Sequence, residues 1–225
     1  MENAAGEKAR TAEERVADSM KNTTTGEALR AALAILDSDL AKALKPDLTA
    51  GLRDPAKLDA ALATLDKRLD EKPGDGPATA WRGFVRALRA GPLYVQAKPE
   101  QGAKAWQDGT AEITKASAND PTGSEPLILR GLATLEHARR QTEDAERTRI
   151  ARMASSDLSR AQQLIADTGK PLSADAGAEL NLSLAHAWFV AGEKPKARAC
   201  LDAAANSAAD KKITGRAREY LDKMK

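Results

Sequence analysis

Cysteine, histidine and aromatic residues are scarce in this sequence, and each shortage narrows the possible folds and functions. Cys200 is the only cysteine, which excludes a disulfide within the chain. The two histidines, His137 and His186, have no cysteine nearby, whereas a zinc site needs three or four ligands at defined spacings. We therefore expect no metal and no cofactor. Aromatic residues make up 3% of the chain, so leucine and alanine have to fill the core, which favours closely packed helices.

The sequence also lacks an excess of one charge and a long apolar run. The 35 basic and 33 acidic residues leave a formal net charge of +2, which does not favour nucleic acid as a partner. No segment is apolar enough to span a bilayer, and the first residues lack a basic region followed by an apolar stretch. As given, the chain is expected to be soluble and cytoplasmic. A periplasmic or lipid-anchored location stays open if an N-terminal signal has been removed.

The spacing of apolar residues predicts helices along most of the chain. Residues 1–24 are polar and predict an arm or a loosely attached helix, and residues 25–225 predict one all-α domain. An unbroken leucine stripe predicts that the first helix runs as far as Pro46: Leu29, Leu33, Leu36, Leu40 and Leu44. A connection is expected at 93–98, and Ser124 is expected to cap a helix. Other helices are predicted at about 55–71, 77–90, 99–119, 142–166, 173–191, 194–207 and 210–223.

The middle of the chain contains an internal repeat. One displacement of about 48 residues relates Leu65 to Ile113, Pro73 to Pro121, Arg82 to Arg130 and Gly83 to Gly131. Repeats of this kind are typical of stacked helix pairs, because one pair cannot cover its own apolar faces. Glycine or alanine in the first helix of a pair predicts a close crossing of two backbones. A leucine at Gly131 or Ala185 should therefore overpack the crossing.

The last predicted helix pair resembles the tetratricopeptide repeat, whose helices follow W-x2-L-G-x2-Y and A-x3-F. Asn181-x2-Leu184-Ala185-x2-Trp188 matches the first block, Gly192-Glu193 forms the turn, and Ala197-x3-Leu201 matches the second block. Ala61-x3-Leu65 and Gly109-x3-Ile113 look like two earlier second helices. The sequence departs from the family in two ways. Its repeat is longer by about 14 residues, and Arg82 and Arg130 stand where the family usually has an apolar residue.

The resemblance implies a right-handed α-solenoid of about four antiparallel helix pairs with a C-terminal capping helix. Proteins of this family bind a protein or peptide partner in a concave groove lined by the first helices of successive pairs. Carried over by position, the groove residues would be Phe84, Leu88, Ile128, Leu132, Leu135, Leu182, His186, Phe189 and Val190. The implied function is a non-catalytic scaffold or adaptor for protein interactions.

Two other functions stay open at this point. Exposed apolar faces could join copies of the chain, which would make it a self-assembling structural module, a homo-oligomer. A helical-bundle enzyme or a small-ligand binder is a weaker hypothesis, because it needs polar groups that converge in a core pocket. Carboxylate pairs such as Glu143 and Asp144 are expected on solvated helix faces, and no catalytic motif is present. We therefore predict no enzymatic activity.

Overall fold

The computed structural model describes residues 26–51 and 54–224, and within these residues it contains helices and no strand. The predicted all-α class is confirmed, whereas the arm predicted at 1–24 lies outside the described residues. A 3-10 turn at Pro55–Lys57 precedes the third α-helix. The α-helices are α1 Gly26–Ile35, α2 Asp39–Gly51, α3 Leu58–Glu71, α4 Gly76–Leu88, α5 Ala90–Val95, α6 Pro99–Asn119, α7 Ser124–Ala138, α8 Asp144–Asp167, α9 Ala174–Val190, α10 Lys194–Ser207 and α11 Lys211–Lys223.

Several helices begin where a side chain bonds an amide of the first turn. Asp75 precedes α4, and its carboxylate accepts a hydrogen bond from a first-turn amide at 3.0 Å. Ser173 caps α9 and Asp210 caps α11 in the same way. Ser124 does not act as the predicted cap, because it is already the first residue of α7 and Gly123 holds the cap position. These caps fix the residue at which each helix starts and so set the length of each connection.

The helices from α4 onward pack in successive pairs. The closest pairs are α4 with α6, α7 with α8, and α9 with α10. Contacts of α6 with α7 and of α8 with α9 join these pairs in chain order, and α11 lies against α10 at the end. Each pair therefore covers an apolar face that its neighbour would otherwise leave exposed.

Glycines lie where paired helices cross most closely. A Cβ atom on Gly83 would lie 2.5 Å from the carbonyl oxygen of Gly109, and one on Gly109 would lie 2.4 Å from the carbonyl oxygen of Gly83. On Gly131 the added atom would lie 2.7 Å from the side chain of Leu158. The prediction that small residues allow close helix crossings is confirmed for Gly83 and Gly131.

Arg82 and Arg130, the two arginines that depart from the family pattern, connect neighbouring helices at equivalent positions of the repeat. Arg82 in α4 donates a hydrogen bond to Asp66 of α3 at 3.0 Å and another to a carboxylate of α6 at 3.0 Å. Arg130 in α7 donates to Thr114 of α6 at 3.1 Å, and it donates twice to Asp157 of α8 at 2.8 and 2.6 Å. Asp66 and Thr114 are related by the same 48-residue displacement as the two arginines. The bridges therefore support the register of the sequence repeat.

The first predicted helix is wrong in its extent, because the chain breaks at residues 36–38 into α1 and α2. The Ser38 hydroxyl accepts a hydrogen bond from the Ala41 amide at 3.2 Å and so caps α2. The helix then continues beyond Pro46, since Leu48 on the far side of the proline is fully buried. Because of this break, the axis of α1 does not have to continue the axis of α2. The break also changes which helices the leucine stripe of α1 meets.

Helix α1 packs mainly on helices that are distant in sequence. It contacts α7 and α9 more extensively than α2, the helix that follows it. Leu29, Ala32 and Ile35 of this helix are almost completely buried. The N-terminal helix of the described chain thus joins two of the helix pairs that lie far along the sequence.

Candidate protein-binding site

None of the nine predicted groove residues is fully exposed, and α1 explains the burial of four of them. Leu132, Leu135, Leu182 and His186 line one small cavity together with residues of α1. The other five residues lie elsewhere. Three are buried in the main core and two are half-buried at the end of α9: Phe84, Leu88 and Ile128 in the core, and Phe189 and Val190 at the helix end.

The structure therefore brings together the part of the predicted groove that α7 and α9 form. We call this surface the inner site, and define it by Leu132 and Leu135 of α7, Arg139 directly after α7, and Leu182 and His186 of α9. All five side chains are buried. The inner site is occupied along its length by a helix of the same chain.

The face that α1 presents to the inner site is small and apolar. Ala28 and Ala31 line the same cavity as the leucines of the inner site. Ala28, Ala31, Ala32 and Ile35 follow the i, i+3, i+4, i+7 spacing, which places them on one face of the helix. Alanine side chains allow the α1 backbone to approach α7 and α9 closely. This is the arrangement by which an amphipathic helix binds in a groove.

A buried ion pair anchors the start of α1. Glu27 lies 3.3 Å from Nη1 of Arg139, whose side chain is only 5% exposed. Glu136, one turn earlier on α7, lies 3.6 Å from the same nitrogen. The buried guanidinium thus faces two carboxylates, one of which comes from α1. Removing Glu27 would leave the cation with less compensation for its lost hydration.

His186 completes the polar end of the inner site. Nη2 of Arg139 lies 2.9 Å from Nδ1 of His186, and the imidazole ring meets the Tyr220 ring edge to face at 4.7 Å. Burial, together with the charges of Arg139 and Arg216, lowers the pKa of His186 well below its ordinary value. The ring is therefore neutral at pH 7. Because a guanidinium only donates, Nδ1 accepts and Nε2 carries the ring proton.

The remaining space at the inner site is too small for an organic ligand. The cavity between α1, α7 and α9 has a volume of about 30 Å³. Sites for small molecules usually have volumes of roughly 300–1,000 Å³. Part of its polar lining is paired within the protein, as in the ion pair between Arg216 of α11 and Glu179 of α9. In contrast, Nε of Arg139 and Nε2 of His186 have no hydrogen-bond partner among the described residues. The geometry of the inner site suits a helix and not a metabolite.

A second concave surface lies between α6 and α8, with α7 as its floor. This outer trough has a volume of about 510 Å³ and includes Trp106, and Met153 on its rim is 45% exposed. The hydroxyls of Thr110 and Thr114 donate to carbonyls one turn earlier on their own helix. Asp157 is bound to Arg130, as described above. The hydroxyls of Thr110 and Thr114 and the Asp157 carboxylate are thus satisfied within the protein. In contrast, the indole N–H of Trp106 has no hydrogen-bond partner within the part of the chain that the structure describes.

The second histidine is part of an aromatic stack beside the outer trough. The His137 ring lies parallel to the Trp106 indole at a centroid distance of 3.9 Å, and the Tyr94 ring lies 6.0 Å away. Burial is the main cause that lowers the pKa of His137 to about 4, so the ring is neutral at pH 7. His137 is thus part of the helix packing and is not solvated, because Trp106 and Tyr94 cover it.

The sequence analysis did not identify α1 as the helix that covers the inner site, or Arg139 as the buried charge at its centre. Glu27 and Ala28 carry no signal that places α1 on α7 and α9, since an apolar stripe shows which face is buried but not what covers it. Arg139 lies in a stretch rich in arginine, a pattern that usually indicates a solvated helix face. A buried arginine of this kind is recognisable only when its carboxylate partners are seen in three dimensions.

Within the described residues, no cluster of three or more histidine, cysteine or acidic side chains is arranged to hold a metal ion. No helix in the described part of the chain has the length and apolar character needed to cross a membrane. Comparisons with protein-family models, with curated proteins and with solved structures find no match to this chain. The inner site and the packing of the helices are therefore the basis for a functional proposal.

Proposed function

We propose that this chain is a non-catalytic scaffold that binds a helix of a partner protein at the inner site. In this proposal the chain is a tetratricopeptide-like, right-handed solenoid of antiparallel helix pairs, and α11 is its capping helix. The motif at 181–201, the 48-residue repeat and the successive packing of helix pairs support this architecture. The partner helix takes the position that α1 occupies in the structure.

The observation that supports the proposal is the packing of α1 against α7 and α9. A short helix from a distant part of the chain contributes an alanine face and one carboxylate to a surface made of leucines and a buried arginine. The same contacts can be supplied by a helix from another protein, since nothing in them depends on the covalent connection to α2.

The resident helix defines the chemistry of the partner. Small apolar residues at i, i+3 and i+4 would match Ala28, Ala31 and Ala32, and a larger aliphatic residue at i+7 would match Ile35. An acidic residue just before this stripe would pair with Arg139. A helix with basic residues at the start of its apolar face would be excluded, because it would place a second cation beside the buried guanidinium.

Competition between α1 and an added helix provides the test. A fluorescent peptide of residues 26–38 would be titrated into the full chain and into an Ile35→Ala chain. Ile35 belongs to α1 and not to the inner site, so its truncation weakens the resident helix by about 2–5 kcal/mol and leaves the site unchanged. We expect the peptide to bind the Ile35→Ala chain at least about tenfold more tightly than the unmodified chain.

Two controls test whether the peptide binds at the inner site. A peptide with Glu27→Lys should bind more weakly, because it brings a cation to Arg139. A Met153→Ala chain alters the outer trough and should bind the peptide as the unmodified chain does. The proposal fails if the peptide does not bind the Ile35→Ala chain, or if the Glu27→Lys peptide binds equally well.

A further inference from the structure

We propose that the inner site also accepts α1 from a second copy of this chain, so that two copies exchange their first helices and form a two-fold dimer. This inference rests on the proposed function, since it names one helix that the inner site binds in trans. Three observations carry it: the distant packing of α1, the three-residue break before α2, and the unbroken leucine stripe across that break.

The contacts of α1 can be made equally within one copy or between two. α1 packs mainly on α7 and α9, which follow it by about a hundred residues or more, and much less on α2. If α1 swings away from its own chain, every contact with the inner site can be restored by the α1 of another copy. Reciprocal exchange leaves both inner sites filled, which closes the assembly at two copies.

The break between α1 and α2 has the properties of a hinge. It consists of residues 36–38, and the Asp37 side chain is 88% exposed. The connection is short, and straightening it would cost the hydrogen bond of Ser38 to Glu125 and the packing of the partly buried Leu36 against the core. Short connections of this kind favour exchange of the element that they join.

The sequence across the hinge is suited to one continuous helix. The leucine stripe continues through the break at spacings of three and four, with Leu36 and Leu40 on either side of Ser38. No glycine or proline lies between Glu27 and Lys45. A continuous helix would bond the amides of residues 37–40 to the carbonyls of residues 33–36. The sequence prediction of one helix as far as Pro46 therefore describes the extended form of this segment.

The Ser38 hydroxyl holds the segment in its broken form. It accepts from the Ala41 amide at 3.2 Å, and it donates to Oε1 of Glu125 at 3.1 Å. Glu125 also accepts a hydrogen bond from the Trp81 indole at 2.5 Å. The cap is useful only when a helix starts at Asp39, because in a continuous helix the same amides are bonded to the preceding turn. Ser38 thus stabilises the monomer against the exchanged dimer.

Two hinge variants of the full chain should shift the equilibrium between the monomer and the exchanged dimer in opposite directions. Ser38→Ala removes a cap whose contribution is a factor of about five per hinge, so the dissociation constant of the dimer should fall about 25-fold. Asp39→Pro places proline at the first residue of α2, where it is favoured, but in a continuous helix its ring meets the carbonyl of residue 35. Association should then weaken by more than about a thousandfold.

The measurement is light scattering coupled to size-exclusion chromatography over a range of concentrations, after incubation that allows helices to exchange. Ser173→Ala is the matched control, since it removes the cap of α9 and leaves the hinge unchanged. We expect dimer in Ser38→Ala and monomer in Asp39→Pro. Equal association of Ser38→Ala and Asp39→Pro, or monomer in both at every concentration, would overturn the inference.

A reciprocal charge exchange identifies the interface directly. A Glu27→Arg chain and an Arg139→Glu chain each carry like charges at the anchor of α1, but in an exchanged dimer of the two every anchor has opposite charges. Native mass spectrometry of the mixture should show the heterodimer in excess over either homodimer. A statistical mixture or two monomers would contradict the exchange. If Arg139→Glu prevents folding, the hinge variants still decide the question.

The outcome also separates this inference from the proposed function. Binding of the 26–38 peptide to the Ile35→Ala chain, with no response of association to the hinge, would reject the exchange and leave the scaffold proposal intact. Heterodimer formation without binding of any added peptide would support exchange and reject the binding of foreign helices.

Discussion

The crossing of α4 and α6 makes a sharp prediction about stability. Gly83 and Gly109 face each other there, and in both cases an added Cβ would meet backbone atoms of the opposite helix. Gly109→Ala would place Cβ 2.4 Å from the Gly83 carbonyl oxygen and 2.6 Å from the Ala87 amide nitrogen. Helix α6 has to move by roughly 1 Å before these atoms reach ordinary van der Waals separation.

Two effects of opposite sign set the magnitude. Overpacking against backbone should cost about 3 kcal/mol, the upper end of the usual range, because two rigid helices have to separate. Alanine in place of glycine in a helix returns about 1 kcal/mol through its higher helix propensity. We therefore predict that Gly109→Ala lowers the free energy of unfolding by about 2 kcal/mol. The midpoint of thermal unfolding should fall by about 4–8 °C for a chain of this size.

Gly215→Ala is the matched control, since Gly215 lies in α11 and an added Cβ there has no atom within 4 Å. This substitution should raise the free energy of unfolding by about 0.5–1 kcal/mol. Denaturant unfolding followed by circular dichroism measures both variants. The double variant of Gly83 and Gly109 should lose less than the sum of the single losses, because one separation of the helices relieves both clashes. Equal or greater stability of Gly109→Ala would refute the close crossing.

Three further predictions concern charge and pH. The pKa of His137 is about 4 in the folded protein and about 6.5 in the unfolded chain, so the unfolded chain binds the proton first as the pH falls. The free energy of unfolding should therefore decrease by up to about 3 kcal/mol between pH 6.5 and pH 4. Unfolding curves of the His137→Gln variant should show a smaller decrease. Asp157→Asn removes the negative charge and one of the two acceptor oxygens that bind Arg130, and should cost about 1–3 kcal/mol in denaturant unfolding. Glu27→Gln should speed hydrogen exchange of α1 amides about 5- to 30-fold, as measured by mass spectrometry.

The predictions for Asp157 and Glu27 each have a control on an exposed group. Asp144→Asn removes a pair with Arg147 within α8, where the carboxylate is 85% exposed, and should change stability by less than about 0.5 kcal/mol. Asp108→Asn should leave exchange in α1 unchanged, since its partner Lys104 lies one turn away on the same exposed face. The account is contradicted if a control matches its test variant, or if stability rises as the pH falls from 6.5 to 4.

Local signals in the sequence were sufficient for most helices after α2 and for their close crossings, although α5 extends into the connection that was expected at 93–98. Asp75 and Pro77 mark the start of α4, and the left-handed Gly192, at φ 82°, lies in the turn after α9. Gly83 and Gly131 predicted close approach because only a residue without a side chain permits it. These features depend on neighbouring residues, so their physical causes are contained in a short stretch of sequence.

The position of α1 depends on contacts that no local pattern contains. Its leucine stripe fits both a broken and a continuous helix, and the Ser38 cap, with its bond to the distant Glu125, selects the broken form. Once the chain breaks, α1 can reach α7 and α9. The predicted groove residues Leu132 and Leu182 are therefore covered by the protein itself, which a repeat motif alone does not indicate.

Hydrogen exchange in an Ile35→Ala chain tests most directly the claim that α1 is a helix bound at the inner site. We predict that the amides of α1 lose protection together with those of α7 and α9 near Leu135 and Leu182, while α4 and α6 keep theirs. Uniform loss of protection along the chain, or an α1 that is already unprotected in the unmodified protein, would contradict the account.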